Sequence, residues 1–139
     1  MPNTCALTDA ALLDDTIYVA GGQETPSADQ AMKNFWALDL SMPSPQWEIL
    51  DPWPGAARIS PVTAAQDGAV YLFGGAELLR DEQAELTRRA LADAYRYRPG
   101  EGWQAVAGLP RAAVAAPGVS VGQSHVLVFG GGGAASFER

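Results

Sequence analysis

One phrase occurs three times in this chain, an apolar run of strand length that stops at two glycines. It reads Thr16-Ile-Tyr-Val-Ala-Gly-Gly22, then Ala69-Val-Tyr-Leu-Phe-Gly-Gly75, then His125-Val-Leu-Val-Phe-Gly-Gly131. The first glycines of the pairs are Gly21, Gly74 and Gly130, which lie 53 and 56 residues apart. β-Branched and aromatic side chains favour an extended backbone. Glycine at the end of such a run permits positive φ or the close approach of another backbone. A repeat of this length is a supersecondary unit that buries its apolar face only by stacking on the next unit.

A second pattern lies between the glycine pairs. Phe35-Trp-Ala-Leu-Asp-Leu40 leads to Trp47, and Ala94-Tyr-Arg-Tyr-Arg98 leads to Trp103. Seven residues separate Trp47 from Pro54 and Trp103 from Pro110, and twenty separate Pro54 from Gly74 and Pro110 from Gly130. A β-sandwich with accidental Gly-Gly dipeptides would not match both spacings. Each full unit reads as four short strands. A small-residue strand comes first (residues 6–13, 59–66 and 113–121), then the strand ending at Gly-Gly, then a Tyr/Trp strand and a short strand begun by Trp. Four-stranded units at a period near 50 residues are the blades of a kelch-type β-propeller, and alanine-rich first strands suit the crowded axis. The expected fold is all-β: a partial propeller with blade one at about 1–51, blade two at about 52–107 and the first half of a third at about 108–139. The excess of turn residues, 15 Gly and 10 Pro, agrees with it.

The residues resemble the kelch family and, more closely, the sialic acid mutarotase (N-acetylneuraminate epimerase) branch with its cyclically permuted relatives. The resemblance rests on Ile17-Tyr-Val-Ala-Gly-Gly-Gln-Glu24, Phe35-Trp-Ala-Leu-Asp-Leu-Ser41, Trp53-Pro-Gly-Ala-Ala-Arg58, Leu91-Ala-Asp-Ala-Tyr-Arg-Tyr97 and Leu109-Pro-Arg-Ala-Ala-Val-Ala-Ala-Pro117. Members of that family resemble six-bladed rings, so the chain reads as a fragment of a longer propeller. Open blade edges of this kind predict self-association.

Charge and composition exclude several classes. Nine basic against sixteen acidic residues give −7, and the only lysine is Lys33. Nucleic acid and membrane are therefore not expected partners, since a duplex needs a positive stripe. The single Cys5 allows no internal disulfide, and the single His125 allows neither a His-rich metal site nor copper-oxidase chemistry, so no metal and no cofactor is expected. The first residues carry neither the basic nor the apolar region of a secretory signal, and the compartment stays open.

Strand connectivity predicts which face carries function. In a four-stranded antiparallel blade, the loop after strand two and the loop before strand one open on the same side. That side collects Glu24, Glu77, Arg58, Arg80 and Arg111, with Trp53 placed to stack on a sugar. A mutarotase moves a proton from the anomeric hydroxyl and delivers one to the ring oxygen. Carboxylates suit that shuttle, and an arginine fork suits the carboxylate of a sialic acid. The family resemblance implies a Glu just beyond a Gly pair with an Arg soon after. Glu77 and Glu24 are the candidate catalytic residues, and Arg80, Arg58, Arg111 and Trp53 the candidate substrate ligands. Residues 78–92 are rich in helix formers and predict a short helix over this face. Trp36, Trp47 and Trp103 are expected in inter-blade packing, and Cys5 as a small thiol in an inner strand. Two functions stand: a carbohydrate isomerase equilibrating anomers of a sialic-acid-type sugar, or a non-catalytic propeller that binds a protein or glycan.

Overall fold

The computed structural model describes residues 1–132. Strands β1 (Asp9–Leu13), β2 (Thr16–Ala20), β3 (Phe35–Asp39) and β4 (Trp47–Ile49) form one antiparallel sheet in chain order. Next come β5 (Val62–Gln66), β6 (Ala69–Phe73), a hairpin of β7 (Ala76–Arg80) and β8 (Leu86–Ala90), then β9 (Ala94–Arg98) and β10 (Gly102–Val106). β5, β6, β9 and β10 make the second four-stranded sheet, with the hairpin inserted where the first sheet has a plain loop. β11 (Gly118–Val121) and β12 (His125–Val128) pair as the start of a third. These are two blades and the first half of another, as the spacing predicts.

Alternation along the strands builds the packing. Tyr18 and Ala20 of β2, with Phe35 and Ala37 of β3, turn one side of blade one onto Val70, Leu72 and Tyr95 of blade two. Aromatic rings fill that seam. Phe35 meets Trp103 edge-on with centroids 4.8 Å apart and stacks on Tyr18 at 5.6 Å, while Trp53 lies 6.1 Å from Trp103. Trp103 thus serves inter-blade packing as expected. Between blades two and three, Val62, Ala113 and Ala116 are the buried contacts.

The glycine pairs join one blade to the next. Gly22 donates its N–H to the Arg58 carbonyl at the start of blade two (2.8 Å), and Gly75 donates to Ala113 at the start of blade three (2.8 Å). All four glycines hold φ between 54° and 108°. The first strands begin later than the sequence pattern suggests. Ala6, Ile59 and Val114 each form an isolated bridge, to Gln23, Ala76 and Gly132. The next residue, Leu7, Ser60 or Ala115, turns left-handed at φ 54°, 46° and 53° and breaks the ladder. These turned residues are bonded in series, Ser60 N–H to Leu7 C=O at 2.6 Å and Ala115 N–H to Ser60 C=O at 3.0 Å.

The helix expected over residues 78–92 is instead the β7–β8 hairpin. Its turn is closed by the Asp81 carboxylate, which accepts the N–H groups of Gln83 (3.0 Å) and Glu85 (2.8 Å). Ala76, Leu78 and Ala90 share one side and cover Ile59 and Val114. That two-residue apolar period has a surface to bury against, and tertiary packing overrides helix propensity.

A Cβ at Gly74 would lie 2.3 Å from the Ala113 carbonyl oxygen, at φ 54°. Gly74→Ala should therefore cost about 2–5 kcal/mol, combining backbone strain with overpacking. Gly100→Ala, at φ 82° but with no atom within 4 Å, should cost less. Urea unfolding midpoints of the two variants measure the difference.

Candidate functional site

The ends of β2, β6 and the loops leading into β5 and β11 share one side of the blades, as the connectivity predicts. One cluster on this side is centred on Arg58, whose side chain is fully buried. The guanidinium makes a two-pronged contact with Asp93, Nη1 to Oδ1 at 2.9 Å and Nη2 to Oδ2 at 2.8 Å. Nη1 also donates to the Gly74 carbonyl (2.8 Å) and Nε to the Ala56 carbonyl (3.1 Å). Its carbon sits 5.5 Å from the ring centres of both Trp53 and Tyr95, a cation held between two π faces. The Tyr95 hydroxyl donates to Asp93 Oδ2 at 2.7 Å. Gly55 leaves room for that hydroxyl, since a Cβ there would lie 2.1 Å from it.

Two expectations are corrected by this arrangement. Arg58 was expected to grip a substrate carboxylate, yet no part of its guanidinium reaches solvent and its bonds go to protein oxygens. Trp53 was expected to stack on a sugar, yet it is wholly buried and its indole N–H donates to Ala56 at 2.9 Å. Both hold the loop before β5 in place. Sequence reasoning missed Asp93 and Tyr95. The available signal was Asp93-Ala-Tyr95 at the start of the aromatic strand, where blade one has Asn34-Phe-Trp36.

The remaining candidates lie on the surface of this side. Glu77 is the most sheltered, with a side chain 20% exposed that accepts a charged hydrogen bond from Arg89 across the hairpin. Arg80 pairs with Asp29 in the β2–β3 loop and so ties the hairpin to blade one. Glu24 and Arg111 are exposed, and neither enters an ion pair among the described residues. The face therefore gathers carboxylates and guanidiniums without joining all of them in one cluster. A separate hollow of about 420 Å³ lies where the first strands begin, lined by residues 7–9, 60–61 and 115–117. No group of three or more His, Cys, Asp or Glu able to hold a metal occurs among the described residues. Burial pushes the Cys5 thiol above its ordinary range, and its Sγ–H points to the Gly21 carbonyl at 3.4 Å.

The family model described as N-acetylneuraminate epimerase matches residues 1–139. The chain belongs to the N-acetylneuraminate epimerase family. The N-acetylneuraminate epimerase of Haemophilus influenzae (strain PittEE) is 39% identical over 130 residues, which is 92% of this chain and 32% of that protein. That of Yersinia enterocolitica (serotype O:8 / biotype 1B) is 30% identical over 130 residues, 92% of this chain and 31% of that protein. The chain thus spans about a third of the length of these curated relatives. The solved structure of YjhT superposes with a TM-score of 0.83 at 15% identity, covering 95% of this chain and 40% of that one. At that identity the likeness shows the fold, and the propeller architecture stands on it.

Acidity tests the Arg58–Asp93 contact. Burial alone would push the Asp93 carboxyl up, but the hydrogen bonds from Arg58 and Tyr95 and the Arg58 charge together hold it below its ordinary value. A depressed carboxyl stabilises the fold fully above the unfolded value of about 3.9. That stabilisation is lost as pH falls through the folded value. Asp93→Asn leaves a buried guanidinium without its counter-charge and should cost about 3–5 kcal/mol near neutrality. It should also flatten the loss of melting temperature below pH ~4. Thermal melts across pH 2–7 measure both effects.

Proposed function

We propose that this chain forms part of a propeller that interconverts the anomers of a sialic-acid-type sugar. The observation carrying this reading is the match of the N-acetylneuraminate epimerase family model across the whole chain. The geometry supplies groups of the right chemistry. Glu77 is a carboxylate two residues beyond a glycine pair, on a hairpin strand packed against the blade and held from the side by Arg89. Arg80 and Arg111 place positive charge on the same side, where a sugar carboxylate can be received. In this reading Glu77 acts in proton transfer and Arg80 or Arg111 holds the substrate. Glu24, two residues beyond the first pair, is the alternative carboxylate.

The reaction needs no oxidant and no cofactor. A base takes the proton of the anomeric hydroxyl while the bond from the anomeric carbon to the ring oxygen breaks, and the ring oxygen receives a proton. The carbonyl so formed turns, the ring closes on its other face, and each proton transfer runs backward. A carboxylate on a paired hairpin serves because its position is fixed before the sugar arrives.

Glu77→Gln in the full-length protein should slow anomer exchange by about 10²–10⁴-fold with little change in sugar affinity. Arg80→Ala should chiefly weaken binding, since it removes a contact made in the ground and transition states alike. Exchange spectroscopy on the anomeric NMR signals measures the rate. Binding of the sugar without any exchange by the parent protein would favour the reading as a glycan-binding propeller.

A further inference from the structure

We propose that Arg89 receives the carboxylate that a sialic-acid-type sugar carries on its anomeric carbon, and so brings the reacting centre to Glu77. The inference rests on the mutarotase reading above and adds a substrate ligand to it.

Strand register sets which side chains share a side of the β7–β8 hairpin. Ala76 pairs with Ala90, and Glu77 pairs with Arg89. Ala76, Leu78 and Ala90 lie against Ile59 and Val114. Successive side chains of a strand point to opposite faces, so Glu77 and Arg89 share the side turned away from that core. Arg80 has the parity of Ala76 and Leu78, and its Nη2 and Nη1 are already bonded to Asp29 and to the Ala84 carbonyl. Arg89 touches Glu77 directly, through Nη2 on Oε2, and its side chain is 64% exposed. A guanidinium carries five N–H donors, so the rest of this one is open to a two-pronged contact with an incoming carboxylate. Oε1 of Glu77 accepts no hydrogen bond from the described residues. Each partner of the pair therefore keeps groups to offer a ligand.

The structure of the sugar sets the demand that this pair meets. In a 2-keto sugar acid the carboxylate, the exchanging hydroxyl and the ring oxygen are all attached to one carbon. Whatever fixes the carboxylate thus fixes the reacting carbon one bond away. A guanidinium that holds it must lie beside the group that takes the hydroxyl proton. Arg89 meets that condition by direct contact with Glu77. A carboxylate seated on the open part of its guanidinium brings the anomeric hydroxyl toward Oε1. An aldose carries hydrogen on its anomeric carbon where the 2-keto acid carries the carboxylate. The pair therefore selects sugar acids of the sialic type over neutral sugars, through a contact made at the reacting carbon itself.

The experiment uses the full-length protein, with N-acetylneuraminate and its uncharged methyl ester as probes in calorimetry. The parent should bind the acid about 10–100-fold more tightly than the ester, the range of charge-assisted hydrogen bonds. Arg89→Ala should bring that ratio to within about threefold of unity, with the ester bound nearly as before. Arg89→Lys should keep part of the preference, because it retains the charge and loses the fork. Arg89→Ala with the parental ratio overturns the proposal even where anomer exchange is slowed, since Arg89 would then only position Glu77. Loss of the ratio in Arg80→Ala or Arg111→Ala instead assigns the carboxylate to those residues. A parent without acid preference also overturns the proposal, and in all these cases the mutarotase reading stands as long as the parent exchanges anomers. A parent without exchange activity overturns both readings. Should Arg89→Ala not fold, Arg89→Gln removes the charge at similar length and is read by the same ratio.

Discussion

The second glycine of the first two pairs hydrogen-bonds the carbonyl at the start of the next blade, and the other features of the structure depend on that contact. Gly22 to Arg58 and Gly75 to Ala113 are short, buried and made by backbone alone. They require a left-handed residue with no side chain, because a Cβ would meet the neighbouring carbonyl oxygens or prolines. Once the strand end is pinned to the next blade, the inner faces must meet at one distance. Tyr18, Phe35, Tyr97 and Trp103 fill the seam that this distance leaves. Aromatic packing therefore completes the interface, and the glycines set its geometry.

Arg58 extends the same logic to side chains. Its carbonyl accepts from Gly22 of blade one, and its guanidinium reaches Gly74 and Asp93 of blade two. One residue thereby ties together a strand end, a loop and the base of the hairpin that carries Glu77. Truncating it would disturb the face that carries Glu77 and Arg80. Its burial between Trp53 and Tyr95 explains why both were open to misreading: an arginine and a tryptophan in a loop look like ligand-binding groups until their accessibility is known.

The repeat was legible in the sequence because strands, glycine pairs and tryptophans recur at fixed spacing, and it led to blades, connectivity and the side on which the charged loops gather. The hairpin was not, since residues 78–90 combine helix-favouring side chains with an apolar alternation that matters only once Ile59 and Val114 lie beneath it. Glu77 and Arg80 were found as charges following a glycine pair, but their partners Arg89 and Asp29 depend on a fold that brings the strands of the hairpin and the loop of blade one together.

The serial bonding of Leu7, Ser60 and Ala115 has a direction. Ser60 gives its amide hydrogen to Leu7 of the blade before it and offers its carbonyl to Ala115 of the blade after it. Such a joint is heterologous, with unlike surfaces meeting, and its repetition about an axis closes a ring. A two-fold pairing of identical faces has no way to use it. Growth of this architecture, by added sequence or by added chains, is confined to one rotational sense, with the donor end of the newcomer always meeting the acceptor end already in place.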